Sequence, residues 1–151
     1  MAGTKEQILA SLRQAYNMEL ETVVNYLANS LHLDGVRADF VKQALAADIQ
    51  GELTHAQQLG NRIKQLGGSI PGSREVQMTQ RYLQPPADTT DVVAVIKGVI
   101  QAENDAISHY RALAKLTEGE DYVTQDLAIT LLADEEGHRQ HFEGYLKEYT
   151  R

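Results

Sequence analysis

The sequence predicts an all-α fold: a four-helix bundle made of two helical hairpins joined by one long crossover. Three observations lead to it. Apolar residues recur at alternating steps of three and four along four long segments. The three prolines all fall between positions 71 and 86, which leaves the rest of the chain free to be helical. The chain also repeats itself. Glu-x-x-His occurs as Glu52–His55 and as Glu135–His138, each preceded by a lone glutamate, Glu19 or Glu103, and each lone glutamate is followed seven residues later by Tyr26 or Tyr110.

The first helix is expected from near Thr4, where Thr4-x-x-Gln7 has capping-box form, to about Leu33, before Asp34-Gly35. The second runs from about Val36 to Leu66 and stops at Gly67-Gly68. The third starts at the Thr89-Thr90-Asp91 cap and ends around Thr117, and the fourth spans Asp121 to Tyr149. Between the hairpins, roughly Gly67 to Asp88 holds the prolines, with Gln77–Leu83 a candidate helical turn. A helix of about 30 residues is roughly 45 Å long. Some 22 residues can span that length at about 3.3 Å each, so the connection is long enough to cross along the bundle. One domain, 1–151, is expected.

Composition narrows the function. With 42% apolar and 23% charged residues the chain is neither disordered nor membrane-embedded, and no run approaches the roughly 18 apolar residues of a spanning helix. The start, Met1-Ala2-Gly3-Thr4-Lys5-Glu6, lacks a signal peptide's basic and apolar run, so the expected compartment is the cytoplasm. The chain has no cysteine, which excludes disulfides, iron–sulfur clusters and thiolate zinc. Any metal must be held by oxygen and nitrogen. A net charge of −7 without a basic cluster argues against phosphate-driven binding of nucleic acid.

Placing the repeated residues on their helices sharpens the reading. A core stripe on the first helix reads Leu9, Leu12, Tyr16, Glu19, Val23, Tyr26, Ser30, Leu33. The second reads Leu45, Asp48, Glu52, His55, Leu59, Arg62, Leu66, with Asp48 and Arg62 pairing with each other or with neighbouring helices. The third reads Ile96, Ile100, Glu103, Ile107, Tyr110, Ala114, and the fourth Ala128, Leu131, Glu135, His138, Phe142, Tyr145, Tyr149. A buried carboxylate costs several kcal/mol unless it is paired or binds a metal. Residues i and i+3 share a helix face, so each Glu-x-x-His offers a carboxylate and an imidazole together. Four glutamates and two histidines on one core level call for a dinuclear metal centre.

Chance alone gives roughly 0.4 such motifs in a chain of this composition, so one copy would mean little and two matched copies mean much. Glu21, two residues past Glu19, points off the stripe toward solvent. Tyr26 and Tyr110 either hydrogen-bond a ligand or fill the core. His109 pairs with Asp105 on the helix surface, and His141 is surface or core filler rather than a further iron group. His32 carries no chemistry, and Asp134 faces another helix or a neighbouring subunit.

The run Leu132-Ala133-Asp134-Glu135-Glu136-Gly137-His138 resembles the fourth-helix motif of bacterioferritins, and Glu19 with Tyr26, Glu52 with His55, and Glu103 match the other parts. The resemblance implies a ferritin-like di-iron carboxylate domain. It implies that Glu52 and Glu135 bridge two irons, with Glu19 and His55 completing one and Glu103 and His138 the other. Rubrerythrins carry a further glutamate where this chain has Ala106. The haem-binding methionine of bacterioferritins is replaced by Leu53, so haem is not expected. Ala47 and Gly51 stand where some members place an inner-surface His and Asp. The sequence stops about where the fourth helix stops, short of a fifth helix, so the expected homo-oligomer is left open between a twelve-subunit cage, a dimer and other assemblies.

The function so implied is ferroxidation: two Fe(II) per subunit, with Mn as the other candidate, oxidised by O2 or H2O2, with Tyr26 donating a hydrogen bond or an electron and with storage if a cage forms. Two alternatives use the same six ligands. One is a di-iron or di-manganese oxidase, peroxidase or catalase without storage. The other is a bundle whose metal only holds it together.

Overall fold

The computed structural model describes residues 3–151 and contains the expected four helices: α1 (Lys5–His32), α2 (Asp39–Gln65), α3 (Val92–Leu116) and α4 (Tyr122–Tyr149). Helix starts are fixed by side chains that satisfy otherwise unpaired N–H groups. Thr4 and Gln7 close a capping box on α1, while Asp91 and Asp121 accept the N–H groups of Ala94 and Thr124 on α3 and α4. Ahead of α2 the chain makes a 3-10 turn, Val36–Ala38, where a continuous helix is expected from sequence. Gly35, at φ 97°, makes the reversal between α1 and that turn, a conformation open to a residue without Cβ.

Helix α1 packs along α2 and α3 along α4, and the two hairpins meet through α1 with α3 and α2 with α4. The apolar interior divides into two clusters. Around one end, Tyr26, Leu33, Leu45, Ile96, Val99 and Phe142 pack together. Around the other, Leu9, Leu12, Leu59, Ile63, Leu113 and Leu131 do so. Each buried aliphatic or aromatic side chain contributes about 1.5–3 kcal/mol relative to exposure. Between the clusters lies a polar layer: Glu19, Glu52, His55, Glu103 and Glu135, all buried.

The connection between α2 and α3 crosses the bundle without the helical turn expected at Gln77–Leu83. Its N–H groups are taken by a side chain instead: Thr79 and Gln80 both donate to the carboxylate of Glu21 on α1. Leu83 is buried in the core, and its carbonyl accepts from Asn29 Nδ2 at 2.9 Å. None of the described helices is long and apolar enough to cross a membrane.

Candidate metal centre

The six repeated residues converge at mid-height of the bundle, one carboxylate from each helix and one imidazole from each of α2 and α4. Their donor atoms form two overlapping groups, Glu19–Glu52–His55–Glu135 and Glu52–Glu103–Glu135–His138, each lying within 4.8 Å. Glu52 and Glu135 belong to both. His55 Nδ1 stands 3.1 Å from Glu135, 3.4 Å from Glu19 and 3.6 Å from Glu52. His138 Nδ1 stands 3.2 Å from Glu52, 3.6 Å from Glu135 and 3.9 Å from Glu103. The two rings stack 6.4 Å apart at 23°.

Whether these residues suit a pair of cations is decided by what their atoms lack. Glu19 Oε2, Glu52 Oε1, His55 Nδ1, Glu103 Oε2, Glu135 Oε1 and His138 Nδ1 are all buried without a hydrogen-bond partner. A buried polar atom left so costs about 1–3 kcal/mol. Six such atoms aimed at one another could hold hard or borderline divalent ions.

Electrostatics agree. Burial, then neighbouring carboxylates, push Glu19 and Glu103 well above the usual carboxylate range. Burial pushes Glu52 and Glu135 the same way, but the close approach of the neighbouring glutamates and the imidazoles outweighs it and holds them below that range. The carboxylates of Glu135 and Glu52 close beside it raise His138 to about 10, and His55 is raised further against the pull of burial. Four carboxylates would balance the four charges of two divalent ions, which bind there in competition with protons.

Around the six donors stand groups that fix them. Tyr26 on α1 donates to Glu103 Oε1 on α3 at 2.8 Å, and Tyr110 on α3 donates to Glu19 Oε1 on α1 at 2.5 Å. Both tyrosines are therefore hydrogen-bonded to predicted ligands as well as packed in the core. Each occupies one carboxylate oxygen and leaves the other facing inward. Asp134 reaches across to α2, where His55 Nε2 donates to it at 3.0 Å, so Nδ1 is the nitrogen turned to the centre.

Other positions differ from the sequence reading. Glu21 is buried, not solvated, because the crossover folds over it. Of the two pairings expected for Arg62, the structure has the one with a neighbouring helix: Arg62 pairs with Asp121 at 2.8 Å and donates to Thr124, both at the start of α4. Asp48 stays half-buried, and burial raises it above its ordinary value. His109 turns from Asp105 toward α1, where it donates to the Ser11 carbonyl at 2.8 Å. Asp105 instead accepts from Gln101 and Tyr82. His32 donates to the Pro86 carbonyl, and His141 is exposed against Tyr145. Sequence reasoning missed the Asp134–His55 bond and the hold of Glu21 on the crossover; for Asp134 the one available signal was a carboxylate directly before a predicted ligand.

Comparisons with known proteins bear on the fold and the family. The chain is 29% identical over 146 residues to a "DNA protection during starvation protein" from Pyrococcus furiosus, covering 93% of this chain and 77% of that one. It superposes with a TM-score of 0.90 and 27% identity on a dodecameric thioferritin, the bacterioferritin-related protein of Bacteroides fragilis, covering 99% of this chain and 89% of that one. A ferritin-like di-iron carboxylate protein of Bacillus anthracis shares the fold at a TM-score of 0.83 and 20% identity, over 97% and 99% of the two chains. The family model for the ferritin-like domain matches residues 9–151, and the chain belongs to the ferritin-like domain family.

Proposed function

We propose that this protein is a bacterioferritin-like ferroxidase that oxidises Fe(II) to Fe(III) at a di-iron site within each subunit. The observation that carries the reading is the set of six unpartnered, buried donor atoms from Glu19, Glu52, His55, Glu103, Glu135 and His138. Glu52 and Glu135, common to both groups, would be held in common by the two ions. Glu19 with His55 would complete one position, and Glu103 with His138 the other.

Iron is the substrate here, and the residues act by holding it. Four carboxylates favour the higher charge of Fe(III), which makes the oxidation step more favourable. Tyr26 and Tyr110 keep one oxygen of Glu103 and Glu19 occupied, so those carboxylates present the other. Asp134 keeps the proton of His55 on Nε2. Each Fe(II) gives up one electron. H2O2 takes two electrons and two protons and leaves as two waters; O2 taking the same leaves as H2O2.

Storage follows if subunits close into a shell. The dodecameric assembly named for the Bacteroides fragilis protein supports a homo-oligomer of twelve. The Pyrococcus furiosus protein is named for DNA protection. With a net charge of −7 and no basic cluster, this chain is suited to protect by removing Fe(II) and oxidant rather than by binding phosphate.

An aerobic Fe(II) titration of the metal-free protein, followed by Fe(III) absorbance in the near ultraviolet, tests the proposal. Fast oxidation that continues well past two irons per chain, with soluble product, is expected. Fast oxidation that stops near two would mark a non-storage oxidase or peroxidase. Oxidation no faster than in buffer, or normal rates in Glu52→Ala and His138→Ala, would remove the site altogether.

A further inference from the structure

On its α1–α3 side the carboxylate layer borders a small cavity lined by Met18, Thr22, Gln80, Ala102 and Ala106. It has room for about one water molecule. All four glutamates reach it, and neither histidine does. Outside it lies a surface cleft of about 500 Å³ bounded by Glu21, Thr79, Tyr82 and Asp105. Met18 and Gln80 line both spaces, so they form the partition between solvent and the glutamates.

Gln80 is placed there by the crossover, which is fastened on both sides. Its N–H donates to Glu21 Oε2 at 2.7 Å, and that of Thr79 to Glu21 Oε1 at 2.9 Å. The Gln80 side-chain amide accepts from Asn25 Nδ2 at 2.9 Å and donates to Thr22 Oγ1 at 3.3 Å. On α3, Gly98 admits the strap: a Cβ there would lie 2.4 Å from the Tyr82 carbonyl oxygen. The backbone is thus held by a carboxylate, while the amide across the aperture is held by two neutral side-chain hydrogen bonds.

We infer that Gln80 is the gate through which a small neutral oxidant, of the size of O2 or H2O2, reaches the carboxylate face of the site. The inference rests on the ferroxidase reading. The partition offers the Met18 thioether and the Gln80 amide; neither carries a charge, and the amide is already held by Asn25 and Thr22, so the partition does not compensate a divalent ion for its water shell. A cavity the size of one water excludes the hydrated ion and admits a diatomic molecule. Rotation of one side chain opens the path, because the grip of Glu21 on the backbone stays in place.

Nitric oxide, a neutral diatomic, is the probe. Oxygen-free protein is loaded with Fe(II), its stoichiometry is measured by equilibrium dialysis, and nitric oxide binding is followed by stopped-flow absorbance. Gln80→Ala is expected to leave Fe(II) stoichiometry unchanged and to raise the nitric oxide on-rate about tenfold, the factor given by removing roughly 1.4 kcal/mol of barrier held by the amide's hydrogen bonds. Gly98→Ala, which pushes the strap off α3, is expected to raise the rate as well. Unchanged rates in both variants, with Fe(II) bound, would overturn the gate and move access to the part-exposed His138 side. Failure of the wild-type protein to bind Fe(II) would instead remove the ferroxidase reading, and the gate with it.

Discussion

The two hairpins supply the same side chains to the centre, Glu19, Tyr26, Glu52 and His55 from one and Glu103, Tyr110, Glu135 and His138 from the other, yet they hold their imidazoles differently. His55 is fastened by Asp134 through Nε2, and its side chain is 6% exposed. Among the described residues nothing holds Nε2 of His138, whose side chain is 26% exposed. The glutamates and tyrosines are matched: each tyrosine reaches across to the terminal glutamate of the opposite hairpin. The repeat therefore sets which atoms face the centre, while their stiffness is set by single contacts outside it. One half of the site is clamped and the other is loose.

The largest expected effect breaks both halves at once. Glu52→Ala or Glu135→Ala removes a donor common to both groups, so Fe(II) binding by dialysis should fall from two per chain to below one and rapid oxidation should be lost. Retention of one fully occupied position would show that the halves do not share these carboxylates. Ion removal comes next. A divalent ion at a hundred times its dissociation constant stabilises the fold by about 2.7 kcal/mol per site. At roughly 2–4 °C per kcal/mol for a chain of this size, chelation should lower Tm by about 5–10 °C per occupied site in a scanning calorimeter.

Asp134→Asn sharpens the contrast between the halves. Loss of a carboxylate behind a metal-bound histidine typically costs about 10–100-fold in affinity. Here that loss should fall on the position served by His55 alone and split the binding isotherm into two steps. Equal weakening of both positions would mean the clamp is not local. The smallest effect concerns the matched pair. Tyr26→Phe and Tyr110→Phe each delete one buried hydrogen bond, about 1 kcal/mol net, and their losses in denaturant midpoint should agree with each other. A large difference would show that the crosswise bonds are not equivalent.

Much of this fold is legible in the sequence because helices and their ligands obey short periods. Steps of three and four place Glu52 beside His55 and Glu135 beside His138, and Thr4, Asp91 and Asp121 mark helix starts. What stays hidden is carried by contacts with no period. Glu21 reads as solvent-facing until the crossover, 58 residues on, lays two N–H groups on it. Asp134 meets His55 across 79 residues, and His109 meets Ser11 across 98. The helical turn expected at Gln77–Leu83 does not form either, and the segment is instead pinned to α1 where Glu21 accepts from Thr79 and Gln80. Tertiary contacts override local preference wherever the chain is aperiodic.

The most direct test of two ions held by these six residues is anomalous diffraction at the iron edge from crystals soaked in Fe(II) without oxygen. Two peaks are expected in each subunit, one within bonding distance of Glu19, Glu52, His55 and Glu135, the other of Glu52, Glu103, Glu135 and His138. The loose half should show the weaker peak. Absence of iron between these side chains, with peaks elsewhere on the protein, would contradict the assignment of the centre.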